Sequence, residues 1–441
     1  MHRKLLCIAL ALFAYPLPAQ QADDVQDLTA RGIGTEAVPG KRPGTRRYIV
    51  HFRTRSFDTC SFRDAIRNGE SAAAVDAIVG NLKRLALRDQ AGFRHAIQEL
   101  GGSVEISFWL VNAASIEIDP VHLDKLRKMG NVAKVEKDVA TYPLVPRALP
   151  FIKVSTDANH HNADAEFTLG NKATGLGVAI VDTSQADNTN GVGKPHQTYY
   201  RGGNKTVKTG KGIDGSRLLG NFQLAAQPAN NSHPHGTGVA SIAAGGKWNT
   251  AQADHGHAAD ADIIGYSICQ FSGSCSSTLA IEAAGWQRVA ADKVKYNIVC
   301  GNMSYGSSPD PTSIVQKAID AVAADANVLP VTAAGNSGSS TRGSSSTANG
   351  IAVGATSVSK TMASFSSRGP LSGDTLRFCP DMAANGVGTV MARNIRETSN
   401  YVGSGTSMAS PQVCGAAALV KNANKNLSAR EIKALLLVST E

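Results

Sequence analysis

The sequence predicts an α/β protein: a doubly wound, mostly parallel sheet, preceded by a small α+β domain with ferredoxin-like topology. The chain has 441 residues and 42% hydrophobic content, which suffices for a small domain and a larger one. After residue 150, short and nearly continuous apolar runs alternate with helical patterns, as is typical of parallel strands buried on both faces. Before that point, the predicted elements follow the order β-α-β-β-α-β.

The small domain is predicted over residues 46–142. Its first strand is the apolar run YIVHF at 48–52, and an Ala- and Leu-rich stretch at 71–100 predicts a long helix. The remaining predicted elements are strands at 104–111, 114–118 and 132–139 and a helix at 122–129.

The larger domain is predicted over residues 150–441. Its strands are predicted at 177–181, 261–268, 296–300, 328–332 and 351–353, and its helices at 237–244, 278–291, 313–324, 407–421 and 428–437. Ser428 and Glu431 are spaced as a capping box at the start of the last helix. Residues 183–232 and 336–350 are rich in Gly, Asn, Ser and Thr and are predicted to be surface loops. In such a sheet the functional site lies at the carboxyl ends of the strands.

The first 19 residues are predicted to be a signal peptide, followed by a polar linker over 20–45. A basic start (MHRK) precedes a short apolar run at 5–12, which is too short to span a bilayer. No later stretch reaches the approximately 18 apolar residues of a transmembrane helix. We therefore expect a secreted protein, extracellular or periplasmic, with no membrane partner.

The net charge of +9 raises the question of a polyanionic partner. Lys and Arg are scattered along the chain without a concentrated stripe or interleaved aromatic residues, which indicates a solvated basic surface and no nucleic-acid partner. Among the cysteines, Cys269 and Cys275 close a small Ser/Gly loop and are the expected disulfide. The others outside the first 150 residues are buried thiols or form a second bridge, and no Cys/His spacing matches a zinc site.

Three residues with side chains suited to catalysis lie at a predicted strand end or helix start, where the side chain would be accessible to a ligand. Asp182 directly follows the apolar run at 178–181, His235 lies in HGTG at the opening of a predicted helix, and Ser407 lies in GTSMASP at the start of another. Each alone has an ordinary structural interpretation, since Asp is common in turns and Ser in helix caps. Their significance depends on their occurring together.

Together these motifs occur in the chain order Asp, His, Ser and resemble the subtilisin-like serine peptidase (subtilase) family. The resemblance extends to NMSYG at 302–306, which looks like the substrate-pairing strand, and to AAGN at 333–336, which looks like the oxyanion-hole segment. The substrate contacts that it implies come from Ser304, Tyr305, Gly306, Ala334 and Gly335.

The resemblance assigns roles to four residues. Ser407 would be the nucleophile, His235 the general base and then acid, Asp182 the group that orients the imidazole, and Asn336 an oxyanion donor. No cofactor or metal is required for this chemistry. Family members often bind structural calcium through scattered ligands, and the sequence assigns no such ligands here.

The segment at 46–142 resembles the family's propeptide, which assists folding and then inhibits the enzyme intramolecularly. Its C-terminal segment at 139–150 would lie in the substrate cleft as an added strand, and we expect maturation between Thr141 and Ser155. The expected product is a monomer that acts on polypeptides.

Two features depart from the family pattern. Ser184 stands where Gly is common, which would be strained if φ were positive there. The chain reaches Glu441 just after the predicted helix at 428–437, where the resemblance leads us to expect another strand or helix. The alternative function is therefore a catalytically inactive subtilase-like protein that binds peptides. A Ser/Gly-rich adhesion module is a third and more distant hypothesis.

Overall fold

The computed structural model describes residues 44–144, 163–187, 195–208, 210–247, 255–306, 310–338, 348–369 and 378–440. The predicted signal peptide lies outside these ranges, as do nearly all of the predicted linker and most of the predicted maturation window. Among the described residues, no helix has both the length and the apolar character needed to cross a membrane.

The N-terminal domain, residues 44–144, has the predicted ferredoxin-like topology. Its first elements are β1 (Arg46–Phe52), α1 (Cys60–Asn68), α2 (Ala72–Asp89), α3 (Ala91–Glu99), β2 (Ser103–Ser107), β3 (Ala113–Ile118), α4 (Leu123–Arg127) and β4 (Val132–Lys137). The antiparallel sheet has the strand order β2-β3-β1-β4.

Two details of this domain differ from the prediction. Helix α1 was not predicted, and the single predicted helix at 71–100 is two helices that meet at Gln90. Gln90 is buried, and its side-chain amide donates to the carbonyl of Ala113, on the first residue of β3, at 3.3 Å. This tertiary contact favours a break in the predicted helix, two residues before Gly92.

The larger domain is built on a seven-stranded sheet with the order β14-β13-β12-β10-β6-β8-β7, in which all six pairings are parallel. Its strands are β6 (Gly177–Asp182), β7 (Leu218–Gln223), β8 (Asp262–Ser267), β10 (Ile298–Met303), β12 (Leu329–Ala333), β13 (Ile351–Thr356) and β14 (Met382–Asn385). Its helices are α5 (Ala163–Thr168), α6 (His235–Ala244), α7 (Leu279–Asp292), α8 (Ile314–Asp325), α9 (Thr406–Ala423) and α10 (Ala429–Val438). The fold class is confirmed.

The five predicted strands and five predicted helices of this domain are all present. The interpretation of residues 183–232 as a surface loop is wrong, because β7 lies within it and forms one edge of the sheet. Strand β14, at the other edge, was also not predicted. The capping box at the start of α10 is formed as predicted, with reciprocal hydrogen bonds between Ser428 and Glu431.

Helices cover both faces of this sheet. Alternate residues of β6 show this directly: Val178 and Ile180 pack in one apolar cluster with α6 and α9, whereas Ala179 and Val181 pack in another with α7 and α8. The second cluster continues into the N-terminal domain, where Phe62 and Trp109 stack edge to face with ring centroids 5.2 Å apart. The N-terminal domain thus shares an apolar core with the outer face of α7 and α8.

A short strand, β5 (Ala140–Pro143), leads out of the N-terminal domain across the larger one. It lies antiparallel between β9 (Ser277–Thr278) and β11 (Tyr305–Gly306) in a three-stranded sheet. We call residues 138–144 the tail. Two further short strands, β15 (Thr389–Ala392) and β16 (Asn400–Gly403), form a hairpin.

Four of the described cysteines lie in two pairs. The Sγ atoms of Cys269 and Cys275 lie at bonding distance, with Cα atoms 4.7 Å apart. Cys300 and Cys414 are buried thiols in β10 and α9, with Sγ atoms 3.2 Å apart.

Candidate active site

Asp182 and His235 form a buried pair at the carboxyl edge of the sheet. Asp182 ends β6 and His235 begins α6, and the distance from Oδ1 of Asp182 to Nδ1 of His235 is 2.7 Å. The side chains are 0% and 1% exposed. Because the carboxylate is the acceptor, this contact assigns the ring proton to Nδ1. Nε2 is then an acceptor, and it has no hydrogen-bond partner among the described residues.

The turn that follows Asp182 packs closely against the start of α6, which explains one glycine of the HGTG motif. A Cβ on Gly236 would lie 2.5 Å from the carbonyl oxygen of Ser184, so only glycine fits against this turn. Ser184 itself is not in the left-handed region, and its hydroxyl donates to the carbonyl of His233 at 2.9 Å. The departure from Gly at this position therefore introduces no backbone strain.

His233 lies near the same pair but does not replace His235. Burial, together with the charge of the neighbouring His235, lowers the pKa of His233 to about 4. The imidazole that bonds Asp182 is the one in the HGTG context.

Ser407 is fully buried in the first turn of α9, with its hydroxyl directed at the tail. Oγ donates to the carbonyl oxygen of Leu144 at 2.6 Å and lies 3.3 Å from the carbonyl oxygen of Ser304. The candidate nucleophile is thus in contact with a peptide carbonyl of the chain's own N-terminal domain.

Asn336 lies beside that same carbonyl. Its Oδ1 accepts hydrogen bonds from both the backbone N–H and the hydroxyl of Thr406, each at 2.9 Å, which directs its NH₂ group away from Thr406. A Cβ placed on Gly405 would lie 3.0 Å from Nδ2 of Asn336 and 3.3 Å from the carbonyl oxygen of Leu144. The side-chain amide of Asn336 and the carbonyl of Leu144 therefore both lie next to Gly405, where a side chain would crowd both groups.

Three of the five residues predicted to bind substrate hold the tail as a strand. The N–H of Leu144 donates to the carbonyl of Ser304 at 2.9 Å, and Tyr305 and Gly306 pair with Pro143 and Tyr142. Ala334 and Gly335 have backbone partners elsewhere: their N–H groups donate to Val353 and to the hydroxyl of Thr406. In the described part of the chain, these two N–H groups are therefore not bonded to the tail.

Two buried carboxyl groups lie where the tail meets α7. Asp138 accepts a hydrogen bond from the N–H of Ala280, yet burial raises its pKa to about 6. Burial, together with the nearby Asp138, raises the pKa of Glu282 to about 8. At neutral pH Glu282 therefore carries a proton. Among the described residues, no group of three or more His, Cys, Asp or Glu side chains is arranged to hold a metal ion.

The sequence is similar to those of known proteins over most of its length. Residues 175–441 match the model of the subtilase family. The chain belongs to this family. It is 29% identical over 378 residues to both subtilisin J of Geobacillus stearothermophilus and subtilisin E of Bacillus subtilis, covering 83% of this chain and 84% of each relative. It is also 29% identical to alkaline elastase YaB of a Bacillus species over 349 residues, 78% of this chain and 79% of that protein. This membership supports a serine peptidase.

Three residues at this site were not predicted from the sequence. Thr406 is next to the predicted nucleophile, but its role in holding Asn336 depends on a contact across 70 residues of chain. Asp138 and Glu282 belong to different domains and meet only in the folded chain. Of these residues, Thr406 alone has a signal in the sequence, which is its position next to Ser407 in the GTS motif.

Proposed function

We propose that the chain is a secreted serine endopeptidase, made as a zymogen whose N-terminal domain is an inhibitory propeptide. The observation that carries the proposal is the juxtaposition at the carboxyl edge of the sheet. A buried Asp182–His235 pair lies at the same edge as Ser407, whose hydroxyl contacts the carbonyl of a peptide bound as a strand. Subtilase family membership supports the same function.

In the proposed mechanism Ser407 Oγ attacks the scissile carbonyl carbon. His235 Nε2, which is buried and free of other partners in the described chain, accepts the hydroxyl proton and then delivers it to the leaving amine. Asp182 fixes the tautomer and stabilises the imidazolium. The side-chain NH₂ of Asn336 and a backbone N–H near Ser407 stabilise the oxyanion.

The proposed substrates are extended polypeptides of broad sequence. The tail supports this binding mode, since its backbone pairs with strands on both sides and one carbonyl lies against Ser407. While attached, the tail occupies the place of substrate, which is how the N-terminal domain would inhibit. We further propose export directed by residues 1–19, a disulfide between Cys269 and Cys275, and action as a monomer that requires no cofactor. Structural calcium is left without assigned ligands.

The experiment compares the full chain with its Ser407→Ala variant in an exporting host. We expect the unmodified chain to shorten by about the mass of the N-terminal domain and to hydrolyse unfolded casein. We expect the variant to fold and to do neither. If both chains fold by circular dichroism, remain full length and leave casein intact, the peptidase proposal fails and the inactive peptide-binding alternative replaces it.

A further inference from the structure

We infer that the bond cut during maturation is Leu144–Val145. This inference rests on the proposed function and makes it specific to one bond of this chain. The predicted maturation window, from Thr141 to Ser155, contains many peptide bonds. Within its described part, the carbonyl in contact with the Ser407 hydroxyl is that of Leu144.

The tail is held at both ends, which fixes the residue presented to Ser407. At one end Asp138 accepts from the N–H of Ala280 at 3.0 Å. At the other end the N–H of Leu144 donates to Ser304 at 2.9 Å. A shift of the tail along the cleft would break both bonds and all the strand pairings between them.

The side chains of the tail alternate between buried and exposed positions, which opposes a shift of one residue. Thr141 is 0% exposed and pairs with Ser277, whereas Tyr142 is 50% exposed. Sliding the strand by one residue exchanges the two faces, so the Tyr142 ring would have to enter the space of the Thr141 side chain. The observed register is therefore the one that the cleft accommodates.

The chemistry of the leaving group also disfavours two other bonds of the predicted window. The nitrogens of Pro143 and Pro146 are tertiary amides within a ring, so the Tyr142–Pro143 and Val145–Pro146 bonds have poorly accommodated leaving groups. Pro143–Leu144 and Leu144–Val145, between the two prolines, are both ordinary secondary amides. Of their two carbonyls, the Ser407 hydroxyl contacts that of Leu144.

The reaction has two steps. Ser407 Oγ bonds to the carbonyl carbon of Leu144 as its proton passes to His235, and the carbon–nitrogen bond to Val145 breaks as His235 returns the proton to that nitrogen. Water then hydrolyses the ester, so that the net change is one peptide bond and one water converted to the Leu144 carboxyl group and the Val145 amine. The Ser407 hydroxyl is regenerated.

The test follows the intact masses of both fragments from the full chain at the earliest times of shortening, before other cuts accumulate. We expect one fragment that ends at Leu144 and one that begins at Val145, and neither fragment from Ser407→Ala. First fragments that meet at any other bond overturn this inference and leave the proposed peptidase intact. A full-length chain whose Ser407 also fails to react with a fluorophosphonate overturns both.

A pair of variants tests the register. Leu144→Pro removes the N–H that bonds Ser304 and should slow the first cut at least tenfold, whereas the matched control Leu149→Pro, elsewhere in the predicted window, should shorten at the wild-type rate. Equal rates in the two variants would contradict the assignment. The wild-type fragment masses decide the question even if Leu144→Pro fails to fold.

Discussion

The carboxyl group of Asp138 accepts a hydrogen bond from the backbone N–H of Ala280, in the first turn of α7, at 3.0 Å. The N-terminal domain thereby supplies a partner to one of the N–H groups that a helix start leaves unbonded. Glu282 lies two residues further along α7, and Arg47 and Glu136 are the other charged groups that act on Asp138. We therefore expect the contact between the two domains to depend on pH.

Stability of the uncleaved chain should fall as pH rises from about 4.5 to about 8. Folded Glu282 keeps its proton up to about pH 8, whereas the unfolded chain loses it near 4.5, so folding takes up a proton in this window. In Ser407→Ala, the added change Glu282→Gln removes this dependence. The difference in unfolding free energy between the two proteins should grow by about 1.4 kcal/mol per pH unit across the window. Denaturant titrations measure it, and parallel curves would contradict the assignment.

Asn336→Leu should reduce turnover by about 10²–10³, the loss measured when the oxyanion amide is removed from subtilisin. Asn336→Asp distinguishes the role of the side-chain NH₂ group from that of the side-chain oxygen. It keeps an oxygen for the N–H and hydroxyl of Thr406 but loses the NH₂ group. Both variants should lose activity in casein hydrolysis, and only the Leu variant should also lose stability. Unchanged turnover in Asn336→Leu would refute the assignment.

Thr406 is expected to act as a positioning residue through Asn336. Thr406→Val removes the hydroxyl that donates to Asn336 and accepts from the N–H of Gly335, at a cost of about 1–1.5 kcal/mol, or roughly tenfold in kcat. KM should change little, and Thr406→Ser should restore the rate. Steady-state kinetics distinguish this outcome from a general packing defect, which the serine variant would not rescue.

Gly236→Ala should slow self-shortening by about 10²-fold. The added Cβ would collide with the carbonyl of Ser184 at 2.5 Å, displacing the turn that carries Asp182 away from His235. Gly92→Ala is the matched control, because nothing lies within 4 Å of its Cβ in helix α3. That variant should process normally and gain about 0.5–1 kcal/mol of stability. Equal processing of the two variants would show that the turn tolerates the methyl group.

Much of the fold was predictable because its central strands are short apolar runs. Strand β6 is GVAIVD and is buried on both faces, so its sequence alone indicates its place in a parallel sheet. Strand β7 is LLGNFQ, at the sheet edge and only half buried, and its polar residues resemble those of the loops around it. Edge strands were therefore missed while central ones were found.

Part of the candidate site was predictable, because the strand end or helix start that carries each of these residues is recognisable from the neighbouring sequence. Asp182 ends an apolar strand, and His235 and Ser407 begin helices, so each has a signal within a few residues. Glu282 has no such signal, because an acidic residue in the first turn of a helix is ordinary and its raised pKa arises from burial beneath another domain. Which peptide carbonyl meets Ser407 likewise depends on how two domains dock.

The tail is covalently connected to the domain that it contacts, and this connection has a kinetic consequence. While the connection exists, the tail's local concentration at Ser407 does not depend on how much protein is in solution, so the first cut should follow first-order kinetics at every dilution. Once the Leu144–Val145 bond is broken, the released domain is a separate molecule whose rebinding depends on its bulk concentration. A tenfold dilution should therefore leave the half-time of cleavage unchanged while hastening the appearance of casein hydrolysis.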